Sequence, residues 1–448
     1  MAAPALDPAR YVRKGFGLKT EVQATLAADY DGRLVDLLRA RDNTLAAGGV
    51  TVRLAREFGF CYGVERAVDY AYQTRSKFPD RRVWLAGEII HNPHVNARLR
   101  EMGVGFLAMA PVVPDTPAFD YAPVAPEDVV ILPAFGVTIH DFHALRALGC
   151  VVVDTTCGSV LNVWKRVEAY ARDGFTALIH GKYYHEETRA TASQVQKHAN
   201  GHYLVVRDMA EAELVCDYVA GRGDRAAFLA KFARSASPDF DPELHLARVG
   251  VANQTTMLAR ESLAIAERVG DAMERAHGAE YRAANFRSFD TICSATQDRQ
   301  DAVNELLLEP LDVMVVVGGY NSSNTMSLAA LCDERVPTYH IESPEAIDVE
   351  AGAVRYRPAG AHTDEATRAG WLPAGPVRVG LTAGASTPNS KIGETVARLF
   401  AMRGVDAAAL TAEADAALAD AALADAARAD VAADAALTAA ALAPAPIA

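Results

Sequence analysis

Nowhere in this chain do two cysteines stand as C-x-x-C, and the 448 residues hold only six cysteines. That sparse, irregular spacing excludes the secreted disulfide framework and the short ligand pairs of zinc ribbons and ferredoxins. No uninterrupted apolar run approaches the ~18 residues of a membrane span. A basic-then-apolar leader is missing, because Asp7 and Glu21 interrupt Arg10, Arg13 and Lys14. The expectation is therefore a reducing, cytoplasmic setting. A basic excess is missing too: 44 Lys and Arg face 57 Asp and Glu, a net charge of −13, which is no nucleic-acid surface. Walker-A and G-x-G-x-x-G loops are absent, so a bound nucleotide or nicotinamide is not supported.

What is present is alternation. Strand-like runs at Val83 to Ala86, Val129 to Leu132, Val151 to Asp154, Thr176 to His180, Tyr203 to Val206, Val249 to Ala252, Val313 to Val317 and Val377 to Leu381 are mostly separated by helical stretches. This pattern predicts α/β units with parallel sheets. The expected division is an N-terminal extension at 1–49 with a helix over Glu21 to Ala46, then units at 50–157, 158–292 and 293–404. A polar helix-and-loop insertion is expected near 210–242, and 351–375 reads as the least structured part. The tail at 405–448 is Ala-rich, its acids (Asp406, Glu413, Asp415, Asp420, Asp425, Asp430, Asp434) facing Arg428 alone. It is expected to be a solvated, loosely helical or disordered appendage.

Three cysteines share one setting. Cys157 lies in Asp154-Thr155-Thr156-Cys157-Gly158-Ser159 between a strand and a helix. Cys61 lies in Gly59-Phe60-Cys61-Tyr62-Gly63, and Cys293 in Thr291-Ile292-Cys293-Ser294-Ala295. A helix N-terminus favours a thiolate. Cys150, Cys216 and Cys332 read as small core hydrophobes. From residues alone, three structural thiols and one shared metal site both stand open. If the three converge, each comes from a separate unit, and three thiolates on a cubane would leave one iron free.

The stretch His180-Gly181-Lys182-Tyr183-Tyr184-His185-Glu186-Glu187-Thr188 ends a strand, where open α/β sheets bind ligands. It is not a zincin motif, because Arg189 stands where the second His is required. His91, in Glu88-Ile89-Ile90-His91-Asn92-Pro93, follows another strand. Donor-rich turns recur at Asn253-Gln254-Thr255-Thr256, at Gly318-Gly319-Tyr320-Asn321-Ser322-Ser323-Asn324 and at Gly384-Ala385-Ser386-Thr387. Each offers hydroxyls, amides and free helix-start N–H groups. One such turn is an ordinary N-cap; three at equivalent positions suggest a polyanion pocket.

Together these motifs resemble the 4-hydroxy-3-methylbut-2-enyl diphosphate reductase family over roughly Val12 to Met402. They are similar to its long plant and cyanobacterial branch in Leu132-Pro133-Ala134-Phe135-Gly136, in His180-Gly181-Lys182 with His185-Glu186-Glu187-Thr188, in Ala252 to Thr256, and in the added segment at 210–242. The resemblance implies three α/β domains in pseudo-threefold arrangement around a 4Fe–4S cluster held by Cys61, Cys157 and Cys293. It implies His91, His185, Thr255, Ser322, Ser323, Asn324 and Ser386 around an allylic diphosphate, and Glu187 as proton source. The implied reaction is a reductive dehydroxylation fed by a ferredoxin- or flavodoxin-type donor, with no nucleic acid or membrane partner. Phe135 stands where the bacterial pattern has a diphosphate-contacting His, and Lys182 is expected to supply the missing charge. Two other classes stay open: a 4Fe–4S hydro-lyase acting on a phosphorylated molecule, which product analysis with and without reductant separates, and a non-catalytic Fe–S carrier.

Overall fold

The computed structural model describes residues 10–110, 116–361, 364–406 and 409–412. Its frame is three sheets of mainly parallel strands. The first runs Tyr11–Val12, Val151–Asp154, Val129–Leu132, Val83–Leu85, Val104–Phe106. The second runs Phe286–Ser288, Val249–Asn253, Thr176–His180, Tyr203–Val206. The third runs Thr338–Ile341, Val313–Val317, Val377–Ala383, Val50–Leu54, and Thr44–Ala47 as its one antiparallel strand. The central strands are continuous β-branched and apolar runs, buried on both faces because helices cover both sides. That is why they are legible as strands, almost to the residue.

Sheet membership does not follow the expected chain division. Val50–Leu54 pairs in register with Val377–Ala383, so the first strand after position 49 belongs with the last strand of the chain. The described part of the N-terminal extension joins two sheets: Tyr11–Val12 extends the first and Thr44–Ala47 the third. The single helix expected over Glu21 to Ala46 is two helices, Lys19–Tyr30 and Arg33–Ala40, followed by that strand. The break falls at Gly32, where a Cβ would lie 2.4 Å from the Asn389 carbonyl oxygen. Asp42 and Asn43 then turn the chain through left-handed φ values of 50° and 57°.

Of two further expectations, that of an unstructured stretch is revised, and that of a helix-and-loop segment holds, though its interior is apolar. The stretch 351–375 contributes two strands of a small antiparallel sheet, Ala353–Tyr356 and Ala366–Ala369, joined by Ile347–Asp348. Its Val354 and Trp371 are buried in the third core, with Trp371 edge-on to Tyr339. The segment near 210–242 is helical, at Met209–Val219, Arg225–Phe232 and Pro242–His245, each helix capped by an aspartate (Asp208, Asp224, Asp241). Phe228, Phe232 and Phe240 give it an apolar interior continuous with Leu178 and Leu204 of the second sheet. Most of the tail expected at 405–448 lies outside the described residues; within them, Leu410 is buried against the third core. Among the described residues, no helix is long and apolar enough to cross a membrane.

From Val50 onward the chain passes between the three sheets at three joints, and a cysteine marks each of them. After Val50–Leu54 of the third sheet, Cys61 opens the helix Tyr62–Lys77, whose Val64, Ala67, Val68 and Ala71 pack on the first sheet. After Val151–Asp154 of the first sheet, Cys157 opens Gly158–Arg172, whose Val163, Val167 and Tyr170 pack on the second. After Phe286–Ser288 of the second sheet, Cys293 opens Ser294–Leu306, whose Ala302, Val303 and Leu306 pack on the third. Three crossovers of one design return the chain to its starting sheet.

The aromatic interior of the 210–242 segment makes it part of the cooperative fold. Truncating Phe232, 1% exposed, to Ala should cost about 3–5 kcal/mol in denaturant unfolding. A loss below about 1 kcal/mol would show that the segment unfolds independently.

Candidate active site

Cys61, Cys157 and Cys293 are each the N-cap of their helix, with extended backbone and no side-chain cap of their own. The sulfurs sit over the first turns of their helices, where Cys293 Sγ lies 3.1 Å from the Thr296 hydroxyl and Cys61 meets the N–H groups of Gly63 and Val64. A Cβ added at Gly63 would lie 2.6 Å from the Cys157 sulfur and 3.9 Å from that of Cys61. Only glycine leaves room between them. Cys61 feels the charge of Cys157, and Cys293 that of Cys61 and of Glu187. Burial pushes the Cys61 thiol up and that of Cys293 up to about 11, with the Thr296 hydroxyl pulling Cys293 back down and Arg299 doing so for Cys61. Such thiols become thiolates once a metal's positive charge offsets the burial. Among the described residues these sulfurs do not form a trio within 4.8 Å of one another, as His91, His185 and Glu186 do. Thiolates on a single tetrahedral ion would lie only about 4 Å apart. The wider spacing suits a polynuclear cluster.

The backbone ties each cysteine to a polar turn. Cys61 N–H donates to the Ala385 carbonyl (3.1 Å), Cys157 N–H to Ala134 (2.8 Å) and Cys293 N–H to Thr255 (3.2 Å). Next to those acceptors stand Ser386, Phe135 and the Thr255 side chain, so the sulfur trio and the polar ring form one hydrogen-bonded unit.

The ring draws on all three sheets. His91, from the first, stacks on Phe135 with centroids 4.5 Å apart and planes 16° from parallel. His185 caps the helix Glu186–Ser193, its Nδ1 accepting from Glu187 N–H at 3.1 Å. That bond assigns the His185 proton to Nε2, which sits 3.2 Å from His91 Nε2, while His91 Nδ1 sits 3.0 Å from Glu88. Burial, with the charges of His91 and Lys182, drives His185 well below the ordinary histidine range, so it is neutral. Glu187 is buried and its Oε1 accepts from Thr255 N–H at 2.6 Å. Burial pushes its carboxyl up to about 7, against the opposing pull of the Thr255 bonds. From the third sheet, Ser322, Ser323 and Asn324 start the helix Ser323–Asp333, and the Ser386 hydroxyl donates to the His91 carbonyl at 3.1 Å. The amide nitrogen of Asn324, the side-chain oxygen of Asn253 and the Thr325 hydroxyl are buried with no partner. Buried polar atoms left so are costly unless a ligand engages them.

Residues 52–400 match the LytB protein family. The chain belongs to the LytB family. It is 49% identical over 407 residues to the 4-hydroxy-3-methylbut-2-enyl diphosphate reductase of Gloeobacter violaceus, covering 90% of this chain and 94% of that one. It is 48% identical over 396 residues to the enzyme of that name from Thermosynechococcus vestitus, covering 88% and 95%. Its fold is similar to the structure of the E-1-hydroxy-2-methyl-but-2-enyl-4-diphosphate reductase from Plasmodium falciparum, with a TM-score of 0.56 and 20% identity over 77% of this chain and 86% of that one.

In this LytB chain every site residue picked out from sequence lies at the junction of the three sheets. Lys182 lies there too, its Nζ 3.3 Å from the Met326 sulfur across the seam between second and third sheets. Burial pulls its ammonium down to about 8. Sequence reasoning missed two residues. Gln254 bonds to the Thr256 and Ser323 hydroxyls (both 3.0 Å), and accepts from Lys182 N–H (3.1 Å) and the Thr188 hydroxyl (3.0 Å). Arg299, 4% exposed, donates to the Gly59 carbonyl at 2.7 Å and so pins the Cys61 turn to the Cys293 helix. Gln254 lies inside one of the donor-rich turns but reads as one more polar residue. Nothing local marks Arg299, which reads as a helix-surface charge.

Glu187 gives the site a pH signature. Its folded-state pKa of about 7 exceeds the unfolded value of 4.5, so the folded chain holds the proton more tightly. Its contribution to stability therefore falls as pH rises through that window. Relative to the parent, Glu187→Gln should gain on the order of 2–3 kcal/mol between about pH 4.5 and pH 8 in denaturant unfolding. A pH-independent difference would contradict the burial argument.

Proposed function

We propose that this LytB chain is an iron–sulfur reductase that converts 4-hydroxy-3-methylbut-2-enyl diphosphate to isopentenyl and dimethylallyl diphosphate. The observation that carries the reading is the shared backbone: the three joint cysteines hydrogen-bond to the very turns that bear Ser386, Phe135 and Thr255. Cys61, Cys157 and Cys293 would hold a 4Fe–4S cluster, which when bound supplies electrons and a Lewis-acidic iron with an open position. The wide spacing of the sulfurs and the space kept clear by Gly63 support that assignment.

Ser322, Ser323, Asn324 and Ser386, with the free N–H groups that open Ser323–Asp333, bind and orient the diphosphate. His91, His185 and Thr255 complete the ring. Phe135, in face-to-face contact with His91, orients an imidazole where a second would otherwise meet the anion. Glu187 holds the proton that the departing hydroxyl needs. With a pKa near 7 it is substantially protonated at neutral pH, and its bond to Thr255 aims it at the diphosphate turn. Two electrons and two protons enter: the C–O bond breaks, one proton leaves with the hydroxyl as water, and the other is added to the allylic carbon skeleton. The electrons come from a ferredoxin- or flavodoxin-type donor. The six cysteines are free, as a cytoplasmic setting would keep them.

Anaerobic reconstitution with iron and sulfide, then assay with reductant on the hydroxylated diphosphate, should give both isomers. Glu187→Gln should keep the cluster's absorbance while turnover falls at least ~100-fold; retained turnover would remove Glu187 from its role. We also assign Lys182 to the diphosphate, as a half-buried ammonium without a carboxylate partner among the described residues. Lys182→Met should raise KM about tenfold or more, with the larger effect below pH 8, where the parent side chain is charged. An unchanged KM would discard the contact.

A further inference from the structure

The 210–242 segment plays no part in the reaction above, yet it builds one wall of a second cavity of about 800 Å³. The opposite wall is the outer side of the catalytic turn, Tyr183 and Tyr184, and of the helix Glu186–Ser193. That helix carries His185 and Glu187 on its inner side and Arg189 on this one. The floor is apolar, with Phe232 and Phe240 from the segment and Val205 from the second sheet. Two cations face in, Arg189 and Arg234, and neither has a carboxylate partner among the described residues. Asp239 is the sole carboxylate among the described lining residues. Arg234 lies over the Tyr183 ring, 5.9 Å from its centroid, and Tyr183 packs edge-on against Tyr184, itself 53% exposed.

Two unpaired guanidiniums over an aromatic and apolar floor are complementary to one kind of ligand: a compact anion on an aliphatic body. Guanidinium forks match phosphate oxygens two at a time, and the accessible faces of Tyr183, Tyr184 and Met109, backed by the buried Phe232 and Phe240, take the chain. An uncharged hydrocarbon would leave the arginines unpaired, and a bare anion would leave the floor wet. We infer that this cavity is a binding site for an aliphatic phosphate or diphosphate ester, separate from the active site and sharing the helix Glu186–Ser193 with it. The inference does not rest on the reductase reading.

Calorimetry on the anaerobically prepared, cluster-loaded full chain tests it without turnover. The probes are farnesyl diphosphate, lysophosphatidic acid, farnesol and inorganic diphosphate, each with the active site open and with it blocked by Ser386→Trp, folding being checked by circular dichroism. Saturable binding of an ester with the active site blocked is expected, with farnesol and inorganic diphosphate each at least tenfold weaker. The better of the two esters identifies the source, prenyl or lipid. Arg189→Ala with Arg234→Ala should weaken ester binding at least tenfold, and Ala233→Trp, at an exposed lining position, should block it. The inference is overturned if no ester binds with the active site blocked. It is overturned equally if binding survives both the double variant and Ala233→Trp, or if farnesol binds as well as its diphosphate.

Discussion

The structure depends on a hydrogen-bonded coupling between backbone turns that lie far apart in the chain. Each cysteine at a joint donates its amide to a carbonyl in the turn that follows the neighbouring strand of the sheet it leaves, and those turns carry Ser386, Phe135 and Thr255. A rigid amide-to-carbonyl link leaves little freedom for sulfur and ring to shift independently. Positioning of this kind, held by the scaffold before substrate arrives, is what makes oriented catalysis effective. Arg299 and Gln254 reinforce the same coupling, one tying two cysteine turns together and the other linking second and third sheets.

Burial sets the electrostatics of the site. Removal from water favours the neutral form of every titratable group, so one physical cause raises Glu187 and lowers His185 and Lys182. The outcome is a carboxylic acid ready to give a proton beside an imidazole that does not compete for it. Cys61 and Cys293 feel the same pressure toward the neutral thiol, opposed in part by Arg299 and by Thr296. Binding of the proposed cluster would therefore be coupled to loss of the Cys61 and Cys293 protons.

Much of this is legible in the amino-acid sequence. The central strands are evident because parallel strands buried on both faces are continuous β-branched runs, and the cysteine turns because each sits between such a run and a helical pattern. Sheet membership is not legible. Val50–Leu54 has nothing in its composition that selects Val377–Ala383 as its neighbour rather than Val83–Leu85. The small antiparallel sheet is hidden because glycine and proline obscure the alternation in strands of four residues or fewer. The 210–242 segment reads as polar because its three phenylalanines are spread along it and gather only when its helices fold back.

The sequence by itself determined which residues could do chemistry: thiols at helix starts, imidazoles and a carboxylate at strand ends, hydroxyls and amides in glycine-rich turns. Those are local properties, set by short-range backbone geometry and side-chain type. Only the tertiary structure decided that they share one site, and that Glu187 keeps its proton near neutrality while Arg189, two residues on, faces a different cavity. Convergence and burial arise from packing between remote segments, and such packing energies have no signature in any single stretch of chain.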